Sequence, residues 1–321
     1  MSCNKQILFH VGLPKAASST VSQLVFLNNP EINYLSKHSR DNHLINYIKH
    51  TILTLDHKYF MKKLGKAREK FLELSLEVDR PNVLSESGMC NKDFMENFQR
   101  LALVTEGMKD RLEFLIIIRS QPSAIISSIN HVGHLFSEME TQGEENVENF
   151  LGLLINHGLN SKKTPTYFKS FDYQYLFDLI EQLFPNSKMH VLLFEQLQDD
   201  KELFQEKLRE ILKIKNVSID GALNVSKKSE KEETYYPSTP FFPVLSKLLK
   251  NPFLFSFVIS GTRRRSFLTF NKRILSYLKY SPEMQTHISN QQKKLIKSAY
   301  EESNRFVSKK FKLELDKYGY Y

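Results

Sequence analysis

The feature that most constrains this chain is a near-continuous apolar run, Leu112–Ile118, within the segment LEFLIIIRS. Such a run is typical of a strand buried on both faces of a parallel sheet, because helices cover both faces of that kind of sheet. Other strand-like runs occur at 5–11, 82–87 and 188–197. Because helical patterns separate these runs over residues 5–213, we predict an α/β fold with a central parallel sheet flanked by helices.

Helical periodicity is the second pattern in the sequence. In one stretch, apolar residues recur at steps of four and three, which marks one face of an α-helix. Helices are predicted at 18–27, 41–77, 91–111, 123–131, 145–159, 171–184, 200–213 and 282–312. We interpret residues 1–321 as a single domain with a less typical region, an insertion or lid, at about 214–280. Within it, residues 240–265 form an apolar patch ending in a basic triplet, for which burial, a lid and a membrane contact stay open.

Composition limits the partners that this chain can have. Its 321 residues carry a net charge of +9, which favours an anionic partner without choosing one. No nucleic-acid-binding motif is found, and Cys3 and Cys90 do not stand in a zinc-binding pattern, so we expect no nucleic-acid partner and no metal. The sequence has neither a signal-peptide pattern nor a run long enough to span a bilayer, and we expect a cytoplasmic protein. Peripheral membrane contact and the oligomeric state stay open.

The segment FHVGLPKAASSTVSQL predicts a strand, a tight loop and the start of a helix. A lysine, small residues, hydroxyl side chains and free N–H groups at a helix start together favour anion binding. The loop lacks the Walker A pattern, in which the lysine follows a glycine. The alternative is a helix capped by a serine beside a surface lysine. The candidate residues are Lys15, Ala16, Ala17, Ser18, Ser19 and Thr20.

A second candidate anion site follows the long apolar run. Arg119 ends that predicted strand, Pro122 suits the first turn of the next helix, and Ser127 lies within that helix. A guanidinium can grip a phosphate while a hydroxyl adds a further hydrogen bond. Taken alone, Arg119 has the alternative interpretation of a surface ion pair at a strand end.

Together these motifs resemble the sulfotransferases that use 3′-phosphoadenosine 5′-phosphosulfate (PAPS), in particular bacterial, carbohydrate-type members. HVGLPKAASST resembles their 5′-phosphosulfate loop, Pro-Lys-x-Gly-Thr-Thr, with Ala17 in place of glycine and with Ser18 and Ser19 in place of threonines. Arg119 and Ser127 match the family's strand-end arginine and the serine eight residues later that bind the 3′-phosphate. The resemblance implies the P-loop-like nucleotide fold of sulfotransferases.

The resemblance also implies an activity: transfer of a sulfuryl group from PAPS, as co-substrate, to a hydroxyl of a carbohydrate or glycolipid acceptor. Lys15 would stabilise charge on the leaving phosphate, and the hydroxyl residues of its loop would hold the phosphosulfate. Glu86, which ends the predicted strand 82–87, is the candidate catalytic base, with a helix cap or a surface carboxylate as the alternative. His10, His131 and His134 are weaker candidates, and His10 is expected to be a packed core histidine.

Two other functional classes fit parts of the sequence. A kinase with a degenerate P-loop would bind a similar ligand, although no aspartate that could hold Mg²⁺ is evident after a strand. A non-catalytic module of the same fold would bind a nucleotide or a polyanion. The identity of the acceptor and the position sulfated stay open.

Overall fold

The computed structural model describes residues 6–36, 39, 41–54, 56–90, 93–128, 152, 159, 166–219, 234–235, 284–285 and 289–321. The predicted helix at 145–159 lies outside these ranges apart from two isolated residues.

A five-stranded parallel sheet forms the centre of the fold, which confirms the predicted α/β class. Its strands are β1 Ile7–Val11, β2 Asn33–Leu35, β3 Asn82–Glu86, β4 Leu112–Ile118 and β5 Met189–Leu193. Their order across the sheet is β2-β3-β1-β4-β5, and all neighbouring pairs are parallel. All of β4 except Glu113 is buried, as its apolar sequence predicts.

Helices flank this sheet and pack against one another. They are α1 Ser18–Val21, α2 Asn42–Leu53, α3 His57–Leu72, α4 Phe94–Val104, α5 over 121–128, α6 Thr166–Lys169, α7 Tyr173–Leu183, α8 Phe194–Asp199, α9 Lys201–Leu212 and α10 Asn290–Phe311. A π-helical segment, Ser22–Phe26, continues α1, and a 3-10 turn, Leu315–Tyr318, follows α10. Helix α10 packs against α7, which brings the last part of the sequence next to the sheet layer.

The single helix predicted at 41–77 is wrong, because two helices occupy that range. Helix α2 ends where the Thr54 hydroxyl donates to the His50 carbonyl oxygen at 2.8 Å. Helix α3 then begins at His57, after the N-cap Asp56, whose carboxylate accepts from the Tyr59 N–H at 3.0 Å. An aspartate at this position satisfies an otherwise free N–H of the first turn, so it favours a new helix start.

Other boundaries also differ from the predictions. The predicted strand at 188–197 ends at Leu193, and the chain turns directly into α8. The predicted helix at 91–111 is α4 followed by a separate 3-10 turn, Lys109–Arg111. The helix predicted from 282 begins at Asn290. The sequence analysis did not predict β2, an edge strand of three residues.

The chain divides into two compact units. One contains Met1–Ser127, Leu151–Lys227 and Asn290–Tyr321, and it holds the five-stranded sheet. The other contains Ser128–Phe150 and Lys228–Ser289, and its described part is a short antiparallel pair, β6 Thr234–Tyr235 with β7 Met284–Gln285. The interpretation of residues 1–321 as one domain with an insertion stays a prediction.

Candidate active site

The carboxyl ends of β1 and β4 define the crevice in which this sheet is expected to bind a ligand. These strands are neighbours, yet the chain continues from β1 to β2 and β3 on one side and from β4 to β5 on the other. Open parallel sheets bind ligands at such a switch point. Lys15 lies in the loop after β1, and Arg119 directly follows β4. The sheet order therefore places both charged motifs at one crevice.

The loop after β1 is seated closely against the end of β3. The Gly12 N–H donates to the Glu86 carbonyl oxygen at 3.0 Å. A Cβ atom built on Gly12 would lie 2.4 Å from the Ser87 Cα atom, well inside van der Waals contact. Only glycine fits such a close approach of two backbones. The start of the loop is thus fixed relative to the strand that carries Glu86.

Two residues of this loop have a left-handed backbone, Lys15 with φ 60° and Ala17 with φ 59°. Ala16 between them is buried. A residue with a Cβ atom in this region loses about 1–2 kcal/mol, so such residues are uncommon outside special sites. Left-handed residues in a turn orient successive backbone N–H groups toward one point, as in anion-binding nests. Lys15 and Ala17 therefore give this loop an uncommon backbone of the kind that occurs at special sites.

The serine that begins α1 does not cap it, so the alternative of a serine N-cap is wrong. The N-cap is Ala17, without a side-chain hydrogen bond. The Ser18 hydroxyl instead donates to the Leu13 carbonyl oxygen at 3.3 Å, inside the loop. Ser19 is exposed and Thr20 is half-buried. Of the three predicted hydroxyl donors, Ser18 is thus turned into the loop and Ser19 is open to solvent.

A direct hydrogen bond joins the two charged motifs. The Arg119 Nη1 atom donates to the Lys15 carbonyl oxygen at 2.9 Å across 104 positions of the sequence. Partial burial, and then the neighbouring Arg119 guanidinium, lower the pKa of the Lys15 ammonium. Within the described part of the chain, no carboxylate forms an ion pair with Lys15. Two adjacent cations of this kind favour an anion in the crevice.

Arg119 is also held by residues to which the sequence analysis assigned no chemistry. Its guanidinium lies 4.3 Å from the centroid of the Phe194 ring, in a cation–π contact. The Tyr173 hydroxyl accepts from the Arg119 N–H at 3.2 Å and donates to the Arg119 carbonyl oxygen at 2.5 Å. Glu195 accepts from the next N–H along the chain, that of Ser120. The packing segments around β5 therefore also orient the candidate phosphate-binding arginine.

Ser127 lies on α5 and is half-exposed. It makes no hydrogen bond to any residue that the structure describes. Eight residues separate it from Arg119, about two helical turns. The structure thus brings Arg119 into contact with the first loop, but it does not join Ser127 to either.

Glu86 ends β3 and pairs in register with Val11 at the end of β1. One of its carboxylate oxygens lies 2.9 Å from the Lys49 Nζ atom, and the other accepts from the Gly88 N–H at 2.8 Å. Its side chain is only 14% exposed. Glu86 is therefore neither a helix cap nor a free surface carboxylate, since Lys49 of α2, which the sequence analysis missed, neutralises it.

His10 is fully buried within β1, as expected for a packed core histidine. Its Nδ1 atom lies 2.8 Å from the Ser85 hydroxyl, which in turn lies 2.8 Å from the Ser22 hydroxyl. Burial lowers the pKa of His10 to about 3, so its ring is neutral at neutral pH. A group with so low a pKa is a poor general base there.

His131 and His134, the remaining candidates for the catalytic base, lie outside the described ranges.

Among the residues that the structure describes, no group of three or more His, Cys, Asp or Glu side chains is placed to hold a metal ion. None of the described helices is long and apolar enough to cross a membrane.

Comparisons with known proteins find similarity among solved structures and none by sequence. No protein-family model and no curated protein matches the sequence. Among solved structures, the chain is similar to the crystal structure of a sulfotransferase from Alicyclobacillus acidocaldarius. The two share 14% identity with a TM-score of 0.40, over 68% of this chain and 86% of that chain. Similarity at this level does not define a family for this chain.

Proposed function

We propose that this chain is a sulfotransferase that moves a sulfuryl group from PAPS to a hydroxyl of a carbohydrate or glycolipid acceptor. The observation that carries the proposal is the hydrogen bond from the Arg119 guanidinium to the Lys15 carbonyl oxygen. It joins the two segments that resemble the 5′-phosphosulfate and 3′-phosphate sites of such enzymes. A nucleoside that carries anionic groups on its 3′ and 5′ oxygens would engage both segments.

The charge and the backbone of the crevice support this proposal. The Lys15 loop would hold the phosphosulfate through its N–H groups, the lysine and the exposed hydroxyl of Ser19. Arg119 would hold the 3′-phosphate, with Ser127 as a second donor. Cations that already lie in place bind a dianion without reorganising. Such preorganisation is the main source of electrostatic catalysis.

In the proposed reaction, the acceptor oxygen forms a bond to sulfur while the bond between sulfur and the bridging oxygen breaks. The bridging oxygen leaves on the 5′-phosphate with the electron pair, and Lys15 would stabilise the negative charge that develops there. By analogy with phosphoryl transfer, positioning and charge stabilisation carry most of the catalysis.

The acceptor hydroxyl must also lose its proton, and Glu86 is the proposed base. It lies at the end of β3, next to the strand whose loop carries Lys15. The contact with the Lys49 Nζ atom at 2.9 Å would hold the carboxylate in place. Lys49 then has a defined role beside the base.

The test of the donor site is calorimetric binding of 3′,5′-adenosine bisphosphate without magnesium. We expect saturable binding to the wild type and weaker binding to Lys15→Ala and Arg119→Ala. Lys58→Ala is the matched control, because it removes the same charge from an exposed position of α3. Absence of binding by a folded wild-type protein would overturn the proposal.

The test of the reaction is transfer of radiolabelled sulfate from PAPS to a panel of carbohydrate and glycolipid acceptors. A labelled product that Glu86→Gln no longer forms would support the base assignment. Binding without transfer to any acceptor would favour the non-catalytic module. Magnesium-dependent phosphate transfer from ATP would favour the kinase instead.

A further inference from the structure

A closed set of buried hydrogen bonds lies behind Arg119, at the base of the crevice. One oxygen of the Glu195 carboxylate accepts from the Ser120 N–H at 2.9 Å, and the other accepts from the Tyr320 hydroxyl at 2.8 Å. Tyr320 is fully buried. The carboxylate thus bridges the residue after Arg119 to a tyrosine 125 positions further along the chain than Glu195.

Further hydrogen bonds of this set connect the backbone of Tyr320 to the segment 120–121. The Asn304 side-chain amide donates to the Tyr320 carbonyl oxygen at 3.0 Å. Asn304 and Gln121 also exchange two side-chain amide hydrogen bonds, at 2.7 Å and 3.0 Å, and both residues are fully buried. Gln121 is two residues after Arg119. Tyr320 is therefore linked indirectly to the segment 120–121, through Glu195 at one end and through Asn304 at the other.

This set supplies contacts that the sheet does not. Beyond Ile118 the strand ends, and the backbone of Arg119 bonds to the Tyr173 hydroxyl. The N–H of Ser120 bonds to Glu195. Side chains from remote segments therefore fix the direction in which the Arg119 side chain leaves the backbone. Bonds of this kind are valuable because an unsatisfied buried polar group is expensive.

The influences on the pKa of Glu195 are consistent with a fixed Arg119. Burial raises the pKa of Glu195, whereas the hydrogen bonds from Ser120 and Tyr320 and the charge of Arg119 lower it. These donors thus favour the ionised carboxylate, against the effect of its burial. Loss of the Tyr320 hydroxyl would remove one of them.

We propose that Tyr320 and Glu195 are positioning residues that hold Arg119 in the orientation needed to bind a nucleotide phosphate. The proposal rests on the proposed function, because it specifies how the donor site of that function is built. Neither residue contacts the ligand in this scheme, and both act through the backbone of 119–121.

The first test follows Arg119 directly in the full-length protein without nucleotide. The Nε–Hε NMR signal of Arg119 is assigned by its disappearance in Arg119→Lys. We expect Tyr320→Phe to shift or broaden this signal. Tyr318→Phe is the matched control, because the Tyr318 hydroxyl makes no hydrogen bond to a described residue. An Arg119 signal that is unchanged in Tyr320→Phe would overturn the proposal.

The second test uses two ligands that differ by one phosphate. We expect Tyr320→Phe to weaken binding of 3′,5′-adenosine bisphosphate about five- to tenfold, as for the net loss of one hydrogen bond, and to leave binding of AMP unchanged. In the Arg119→Lys background the same substitution should have no further effect. Equal losses for both ligands would contradict a role through Arg119.

Failure of this inference can be distinguished from failure of the proposed function. A folded wild type that binds no 3′,5′-adenosine bisphosphate would overturn the function, while the NMR comparison would still decide whether Tyr320 positions Arg119. If Tyr320→Phe does not fold, Glu195→Gln makes the same test. Its amide keeps the shape of the carboxylate but can accept only one of the two hydrogen bonds.

Discussion

The two sides of the crevice are held in different ways. On one side, Arg119 is fixed by side chains from remote segments, including Tyr173, Glu195 and Tyr320. On the other side, the Lys15 loop is held through its backbone groups, which bond to Glu86 and Arg119, and no carboxylate of the described residues pairs with the Lys15 ammonium. In the proposed reaction, the site would combine a rigidly held guanidinium for binding with a lysine ammonium that is free of a carboxylate partner among the described residues.

The largest expected effect concerns turnover. Lys15→Ala should lower kcat for sulfuryl transfer about 10²–10³-fold, as for the loss of one group that stabilises developing charge. Arg119→Ala should act mainly on the Kd of the nucleotide. The measurement is kcat at saturating donor together with Kd by calorimetry. The comparison breaks if Lys15→Ala changes Kd alone and Arg119→Ala changes kcat alone.

The next effect concerns the packing of the loop after β1 against the end of β3. Gly12→Ala should lower the free energy of unfolding by about 3 kcal/mol, because its Cβ would meet backbone that cannot move aside easily. Gly65→Ala is the matched control. It lies in α3 with no atom within 4 Å of the added Cβ, and it should raise stability by about 0.5–1 kcal/mol. Urea denaturation measures both changes, and equal effects would contradict the close packing at Gly12.

A smaller effect is a difference between the two sides of the crevice in how their residues make stability depend on pH. The pKa of His10 is about 3 in the folded protein, and about 6.5 is usual for an unfolded chain. The unfolded state therefore binds more protons between these values, and stability falls as the pH drops below about 6.5. Between pH 7 and pH 5, the wild type should lose about 2 kcal/mol more than His10→Gln.

Glu195 on the other side should show the opposite sign. Burial raises its pKa in the folded protein, so the folded state binds more protons, and its contribution to stability increases as the pH falls. Denaturation curves of His10→Gln and Glu195→Gln at several pH values would reveal the contrast. If the stability of the two variants changed with pH in the same way, the predicted difference between the two sides would be contradicted.

The smallest effect tests the left-handed backbone. Ala17→Gly should raise stability by about 0.5 kcal/mol, because relief of the left-handed strain slightly exceeds the entropy that glycine loses on folding. Lys213→Gly is the control, since Lys213 has φ 55° at the end of α9. Both should raise the melting temperature slightly. A loss of stability for Ala17→Gly alone would show that its methyl group packs usefully.

The central sheet could be predicted because its signal is local. The observed bounds of β4 agree with the apolar run at Leu112–Ile118, since a strand covered on both faces must be apolar throughout. The rule that loops after parallel strands share one edge then placed Lys15 and Arg119 together. The three-residue strand β2 was too short to give a pattern, and the helix cap at Asp56 was overlooked within one long periodic stretch.

The surroundings of Arg119 could not be predicted in the same way. Tyr173 is 54 positions from Arg119, and Asn304 is 183 positions from Gln121. A tyrosine or an amide in an amphipathic helix has the same local pattern whether it packs or bonds. Only the fold shows that these side chains meet behind one arginine.

The buried link between Glu195 and Tyr320 also sets an order of events during synthesis. All five strands of the sheet have left the ribosome once residue 193 has emerged, so the sheet can begin to assemble early. The carboxylate of Glu195 must then wait for its second donor until residue 320 is made. In a nascent chain, the sheet, the Lys15 loop and Arg119 would therefore be present before the hydrogen bond between Glu195 and Tyr320 could form.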